Sequence, residues 1–200
     1  MTPTVTQGGR RDAVRNYHRI LDAARDVLGE SGAEAGMEEI ATRAGVGIGT
    51  VYRRFASKDA LIDELVRLAM EEVTDAADRA LARAGGHGLE EFLRAIGQSF
   101  ADHARYANLL LERPVDPGAT QRLRDAVGEL TTRAAAAGTV APGVTLTDIM
   151  ALVRAMRGLV QADGAPSPGE RVPQCWHRFL DIHLAGLRTA GTARAAGGAP

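Results

Sequence analysis

The sequence predicts an all-α protein with about nine helices, and two observations carry this prediction. Apolar residues recur along the chain at the three- and four-residue spacing of an α-helix, whereas no segment shows the strict alternation of a half-buried strand. Glycine and proline interrupt this period at intervals that separate one helix from the next. The clearest interruptions are residues 85–88, 114–118, 142–143 and 164–168.

The composition is typical of a soluble globular protein with one large or two small domains. The chain has 200 residues, of which 45% are hydrophobic and 24% are charged, and its net charge is −1. Cys175 is the only cysteine, so no intramolecular disulfide forms and a reducing cytoplasm is the expected compartment. No apolar run approaches the ~20 residues of a membrane span, and residues 1–9 lack the apolar core of a signal peptide.

The first helix is predicted over residues 14–31, and Gly32 is placed to end it. One face of this helix is apolar and comprises Tyr17, Ile20, Leu21, Ala24, Val27 and Leu28. Residues 1–13 precede this apolar face and are expected to form a flexible basic arm.

Two short helices joined by a tight turn are predicted next, within about residues 37–56. Gly36 is placed to cap the first of them. Ala41 is small enough for the two helices to approach, Gly45 supplies a turn with positive φ, and Val51 fills the interface. This spacing predicts a helix-turn-helix, whose second helix presents the outer face of residues 47–54 to the major groove of DNA.

The segment from Tyr17 to Leu65 resembles the DNA-binding domain of the TetR family of bacterial transcriptional regulators. The matching pieces are ILDAA at 20–24, Gly32, EIAxxAGV at 39–46, GTVYxxF at 49–55 and KxxL at 58–61. The resemblance covers about a third of the chain and does not extend by motif into the rest. It implies a TetR-type fold, with a DNA-binding domain at 14–72 and a helical ligand-binding and dimerisation domain at 73–189.

Five residues of the second helix are predicted to lie close to the bases. Ile48, Thr50 and Arg53 are placed for base edges, since arginine pairs with guanine and threonine offers a methyl or a hydroxyl group. Gly47 and Gly49 have no side chains and therefore allow close approach of the backbone. Gly47 replaces the serine or threonine that is more frequent in the family, so a capping hydroxyl is lost there.

Phosphate contacts are implied by the resemblance for Tyr52, Arg54 and Lys58, which match family positions that hold the DNA backbone. Lys58 is the only lysine in the chain, and a compact ammonium suits a phosphate contact. Three further arginines near the N-terminus either add phosphate or minor-groove contacts or are merely solvated: Arg10, Arg11 and Arg15.

The remaining helices are predicted from the same apolar period. They comprise one from the Ser57 cap to about residue 84, one from near Leu89, a short one through Tyr106 and Leu110, one over 119–137, one capped by Thr147 and one from Val172 to Leu187. Residues 190–200, rich in alanine and glycine, are expected to be a disordered tail. The helix after Ser57 would act as a lever, because it leads from Lys58 into the second domain.

The last two predicted helices are apolar around more than a single stripe. This pattern is explained either by burial in a large intramolecular core or by packing against a twofold-related copy. The resemblance implies the second explanation, since family members dimerise through their last two long helices. A homodimer is therefore expected.

The second domain is expected to bind an unknown small-molecule effector, as the resemblance implies. Aromatic walls with few polar groups are typical of such pockets. The candidate lining residues are Phe92, Phe100, His103, Tyr106, Leu110, Met150, Arg154 and Trp176, each of which core packing or surface exposure would also explain. No metal ligand set is predicted, because the spacing of Cys175, His177 and His183 does not place them on one helix face.

The sequence therefore predicts a sequence-specific DNA-binding regulator without cofactor or enzymatic activity. The expected form is a homodimeric repressor that leaves a palindromic double-stranded DNA operator when an effector binds. Two alternatives remain: a ligand-independent regulator or activator, and a helical small-molecule-binding protein that has lost DNA reading. The slightly acidic total charge and the absence of a serine at Gly47 are the only support for the last of these.

Overall fold

The computed structural model describes residues 7–162 and 175–196, and its regular elements are all helical. The helices are α1 (Gln7–Ser31), α2 (Met37–Ala44), α3 (Ile48–Arg54), α4 (Lys58–Ala82), α5 (Gly88–His103), α6 (Ala107–Leu111), α7 (Pro117–Ala136), α8 (Leu146–Ala162) and α9 (Cys175–Ala196). Two single 3₁₀ turns, Gly32–Glu34 and Ala104–Tyr106, precede α2 and α6. The predicted all-α fold class is confirmed.

The described residues fold into two compact units. The first unit comprises the residues up to Arg67 together with Arg105–Arg113, and the second comprises Leu68–Ala104 and the residues from Pro114 onward. Long-range ion pairs explain why Arg105–Arg113 joins the first unit. Arg113 contacts Asp63 at 2.7 Å and Asp59 at 3.0 Å, in α4. The sequence boundary near residue 72 did not anticipate this, because the segment is remote in sequence from its partners.

The first unit is built on the packing of α1 against α2 and of α2 against α3. Its core side chains are almost completely inaccessible: Ile20, Leu21, Ala24, Val27, Leu28, Ile40, Val51 and Leu61. Gly32 ends α1 with a φ of +55°, and Ser57 caps α4 by accepting a hydrogen bond from the amide of Ala60 at 3.1 Å. Both helix boundaries were predicted from the sequence.

The start of α1 differs from the prediction of a flexible arm. The helix begins at Gln7, so residues 7–13 are helical, while residues 1–6 lie outside the described part. Apolar periodicity missed this extension because its side chains are polar or exposed. Within this extension Gly8 and Gly9 disfavour a helix, whereas an ion pair between Arg15 and Asp12, one turn earlier, supports it.

The second unit has its core among the later turns of α4 and helices α5, α7, α8 and α9. Fully buried side chains from these helices include Leu89, Phe92, Leu93, Leu130, Ile149, Met156 and Leu180. No helix in the described ranges 7–162 and 175–196 is both long and apolar enough to cross a membrane.

Two helix ends in the second unit correct the sequence prediction. Thr145, not Thr147, caps α8: its hydroxyl lies 3.4 Å from the amide nitrogen of Asp148, and Asp148 Oδ2 accepts from the amide of Thr145 at 2.8 Å. This reciprocal pair satisfies two backbone donors, which Thr147, inside the helix, cannot do. Helix α9 continues to Ala196, so residues 190–196 are helical, consistent with the high helix propensity of alanine. The predicted start of this helix at Val172 and the last four residues lie outside the described part.

Candidate nucleic-acid interface

The turn between α2 and α3 is formed by backbone geometry that only glycine adopts easily. Gly45 has a φ of +62°, and its amide donates to the carbonyl of Thr42 at 3.1 Å, which ends α2. A Cβ at this position would also lie 2.5 Å from the guanidinium of Arg19, whose Nη2 donates to the carbonyl of Gly45 at 3.3 Å. Gly45 therefore fixes the angle at which α3 leaves α2.

Buried side chains hold α3 against the rest of the first unit. Val51 is completely buried and Ala41 is 4% exposed, as the predicted role in the helix interface requires. Gly47 adopts an extended conformation at the N-terminus of α3, and its carbonyl accepts from the amide of Thr50 at 2.8 Å. Phe55, buried immediately after the helix, anchors the other end. This arrangement is a helix-turn-helix with α3 as its second helix.

The opposite face of α3 is open. Ile48 is 37% exposed and Tyr52 is 50% exposed, although large apolar side chains are normally covered. Because they are four residues apart, they lie on one side of the helix. Arg53 is exposed beside them and donates to the hydroxyl of Thr50 at 3.3 Å. A Cβ on Gly47 or Gly49 would meet no atom within 4 Å, so the backbone is approachable there.

Lys58, at the start of α4, is half-buried and already has partners. Its Nζ atom donates to the carbonyl oxygens of Ala33 at 2.5 Å and of Ala35 at 3.1 Å. It thereby ties α4 to the connection between α1 and α2. An ammonium group has three donors, so one remains for a further acceptor.

Arg54 is exposed like Arg53 but makes a different contact. Its guanidinium carbon lies 4.5 Å from the centre of the Tyr17 ring, and the Tyr17 and Phe55 rings stack with their centres 6.1 Å apart. The hydroxyl of Tyr17 donates to Glu64 in α4. Sequence reasoning had placed Tyr17 only on the apolar face of α1. The phenol of a part-buried tyrosine usually finds a polar partner, and that requirement was the available signal.

Glu64 is the most strongly perturbed carboxylate of the first unit. Arg67 donates to both of its oxygens, at 2.7 Å and 2.8 Å. These hydrogen bonds, with a smaller contribution from Tyr17, lower the pKa of Glu64 from 4.5 to about 2, although partial burial opposes the shift. Glu64 is therefore charged at neutral pH and accepts from two helices.

A groove of about 340 Å³ runs between α1 and α3. Its lining residues are Asp12, Ala13, Asn16, Tyr17, Ile20, Thr50, Arg53 and Arg54. Arg11, predicted to lie on a flexible arm, and Arg15 are both exposed on α1, whereas the side chain of Arg10 is outside the described part. Sequence reasoning did not single out Asn16, because nothing in its spacing relates it to α3.

The predicted effector-pocket residues have different environments in the two units. Phe92 is 1% exposed and Trp176 is 2% exposed in the core of the second unit, with Phe100 packed against it. His103 is half-buried, with Ser99 Oγ 3.3 Å from its Nδ1. Met150 is half-buried and Arg154 exposed on α8, and Tyr106 and Leu110 belong to the first unit. Within the described residues, no three His, Cys, Asp or Glu side chains are grouped to hold a metal ion.

The fold and the open face of α3 define a helix-turn-helix DNA-binding protein, and comparison with known families makes the class specific. Residues 20–65 match the family model of bacterial regulatory proteins of the tetR family. Residues 85–189 match the C-terminal domain of SbtR-like transcriptional regulators. The chain belongs to the TetR family of bacterial transcriptional regulators. No curated protein sequence gives a significant match.

Solved structures agree with this assignment. A TetR transcription regulatory protein from Mycobacterium vanbaalenii is 32% identical, with a TM-score of 0.64 over 90% of this chain and 98% of that chain. The TetR transcriptional regulator SCO0520 from Streptomyces coelicolor is 28% identical, with a TM-score of 0.63 over 86% and 97% of the two chains. PfmR from Thermus thermophilus is 20% identical, with a TM-score of 0.67 over 84% and 98%, and shares the fold.

Proposed function

We propose that the protein is a homodimeric repressor that binds a palindromic operator through the open face of α3 and leaves it when a small molecule binds. The observation that carries the proposal is the exposure of Ile48 and Tyr52 on one side of a helix whose other side is fixed by buried Val51. A surface helix normally turns its apolar residues inward. The outward-facing apolar residues of α3 are therefore suited to contacts inside the major groove of DNA.

The roles on this face follow from reach and chemistry. Arg53 and Thr50 lie towards base edges, where the guanidinium pairs with guanine and the threonine methyl or hydroxyl meets another base. Ile48 offers an apolar contact to the methyl group of thymine. Tyr52 and Lys58 hold phosphates, the lysine through the donor that Ala33 and Ala35 leave unused.

A second copy of the chain is proposed to pack on the outer faces of α8 and α9. Ile182 on α9 is 58% exposed, the largest exposure among the large apolar side chains of the described residues. Small residues are also exposed on both helices and allow helices to approach closely: Ala151, Ala155 and Gly158 on α8, with Ala185 and Gly186 on α9. Four helices packed about a twofold axis would bury this surface.

The effector is proposed to act on the second unit, and α4 to transmit its effect. This helix runs without a break from Lys58 to Ala82, so its first turns belong to the first unit and its later turns to the second. Of the proposed pocket residues, Phe100 and His103 on α5 are not fully buried and remain able to meet a ligand. Release of DNA requires that the effector bind one arrangement of the dimer better than the other.

The proposal is tested with a reporter gene whose promoter carries the bound DNA sequence. The wild-type protein should lower reporter expression, and Arg53→Ala should restore it at equal protein level. A rise of expression in the presence of the wild type would show an activator instead. Unchanged expression despite binding in vitro would exclude a role as repressor at that site.

A further inference from the structure

Arg54 is exposed, yet its guanidinium rests on an aromatic side chain of α1, whereas Arg53 contacts Thr50. Its guanidinium lies 4.5 Å from the centre of the Tyr17 ring and 5.9 Å from that of Phe55. A cation over an aromatic face within about 6 Å is attracted by the ring quadrupole. The C-terminal end of α3 is therefore attached to α1 through this contact.

The ring that receives Arg54 is itself fixed. The hydroxyl of Tyr17 donates to Glu64, and Glu64 is held by two hydrogen bonds from Arg67. The positive charge of Arg54 also acts on the Glu64 carboxylate, which is charged at neutral pH. One cluster thus joins α1, α3 and α4: Tyr17 from α1, Arg54 from α3, and Glu64 with Arg67 from α4.

We propose that Arg54 is a positioning residue, which orients α3 for DNA reading by resting on Tyr17 instead of contacting a phosphate. This inference rests on the proposed DNA-binding function and replaces the phosphate role that the family resemblance implied for position 54. A histidine is common at this position in the family, and the arginine found here is long enough to span from α3 to the face of the Tyr17 ring.

The two roles differ in how binding depends on salt. A residue that neutralises a phosphate releases a counterion, so its loss lowers the slope of log affinity against log salt by about 0.9. A residue that orients the helix changes affinity without changing the number of phosphates neutralised. The slope therefore separates the two roles even if both substitutions weaken binding.

The experiment measures duplex affinity over a range of salt concentrations for the full-length wild type, Arg54→Met, Tyr17→Leu and the double variant. Arg54→Met should weaken binding by roughly two- to fivefold, the factor that corresponds to an exposed cation–π contact, with the salt slope unchanged. The same substitution should have little effect in the Tyr17→Leu background. Tyr17→Phe keeps the ring and should keep the full effect of Arg54→Met, and Arg54→Lys should restore part of the affinity.

A salt slope reduced by about 0.9, with an equal effect of Arg54→Met in both backgrounds, would overturn the proposal in favour of a phosphate contact. An Arg54→Met variant that binds like the wild type would overturn it as well. Arg53→Met is the matched control, because this neighbouring arginine has the same length but makes its contact with Thr50 on the open face.

Urea unfolding without DNA keeps the test separate from the proposed function. Arg54→Met should shift the urea midpoint of unfolding more when position 17 is tyrosine or phenylalanine than when it is leucine. Equal shifts in all backgrounds would overturn the positioning role. If the wild type bound no duplex, the proposed function alone would fail, and this measurement would still decide whether Arg54 acts through Tyr17.

Discussion

Trp176 in α9 lies so close to Gly97 in α5 that a Cβ atom on the glycine would come within 2.5 Å of the indole ring. The ring fills the space that a side chain at position 97 would need. Trp176, a candidate for the effector pocket, is 2% exposed and packs between two helices of the second unit.

Gly97→Ala is expected to destabilise the protein by about 1–3 kcal/mol, because the ring or the helix must move to admit one methyl group. Fluorescence of Trp176, the only tryptophan, reports urea unfolding of the second unit directly. Gly128→Ala in α7 is the matched control, since its nearest side-chain atom would be 3.8 Å away. That substitution should stabilise by about 0.5–1 kcal/mol through helix propensity, and a loss of stability equal to that of Gly97→Ala would contradict the account.

The stability of the first unit should depend on pH through Glu64. Its pKa is lowered from 4.5 to about 2 in the folded state, so its contribution is fully present above pH 4.5 and is lost as the pH falls towards 2. Glu64→Gln should therefore cost about 1.5–3 kcal/mol near neutral pH, the range for hydrogen bonds to a charged group. Urea unfolding followed by circular dichroism should show this difference shrinking between pH 4.5 and 2.

Glu34→Gln provides the control for that measurement, because Glu34 is an exposed carboxylate in the turn after α1. It should change stability little at any pH. A difference between wild type and Glu64→Gln that stayed constant from neutral pH to pH 2 would show that the Glu64 charge does not stabilise the fold.

Arg53 and Lys58 should affect DNA binding in different ways. Arg53→Ala should cost about 1–3 kcal/mol at one base position and relax the preference there, because a base-edge contact is lost. Lys58→Ala should weaken binding to all sequences and lower the salt slope by about 0.9, because a phosphate contact is lost. Competition among duplexes that differ at single positions measures both effects.

An unchanged base preference in Arg53→Ala would refute its role at a base edge. For Lys58→Ala, an unchanged salt slope would mean that the lysine acts only by holding Ala33 and Ala35. Tyr52→Phe extends the comparison, since it removes a single hydroxyl from an exposed ring and should weaken binding to all sequences.

The outer face of α9 should govern assembly. Ile182→Glu should convert the dimer to a monomer in analytical ultracentrifugation, because it places a charge in a surface that must be desolvated. Val115→Glu is the control: Val115 is also an exposed large apolar residue, but it lies before α7 rather than on α8 or α9. A dimeric Ile182→Glu protein, or a monomeric wild type, would contradict the proposed interface.

Local patterns predicted the helix-turn-helix accurately for physical reasons. Gly45 indicates a turn with positive φ, Val51 indicates the interface between α2 and α3, and Ser57 indicates the start of α4. Each residue lies within a few positions of the structural feature that it predicts. Polar helix extensions carry no such signal. Residues 7–13 and 190–196 are helical without an apolar stripe to reveal them.

Tertiary contacts between remote residues could not be predicted. The stacking of Arg54 on Tyr17 joins positions in different helices, and the spacing of neither residue indicates the other. The same holds for Arg113 with Asp63, which brings Arg105–Arg113 into the first unit. The sequence could not decide whether Phe92 and Trp176 are core residues or line a ligand pocket, because both environments favour large apolar side chains. The structure buries both side chains.

The central claim, sequence-specific reading by a dimer, is tested most directly by selecting a randomised duplex pool with the purified protein and sequencing the retained DNA. The account predicts an enriched inverted repeat whose half-sites are about one helical turn, or a multiple of it, apart. Enrichment of no sequence by the folded protein, or of a site without an inverted repeat, would contradict it.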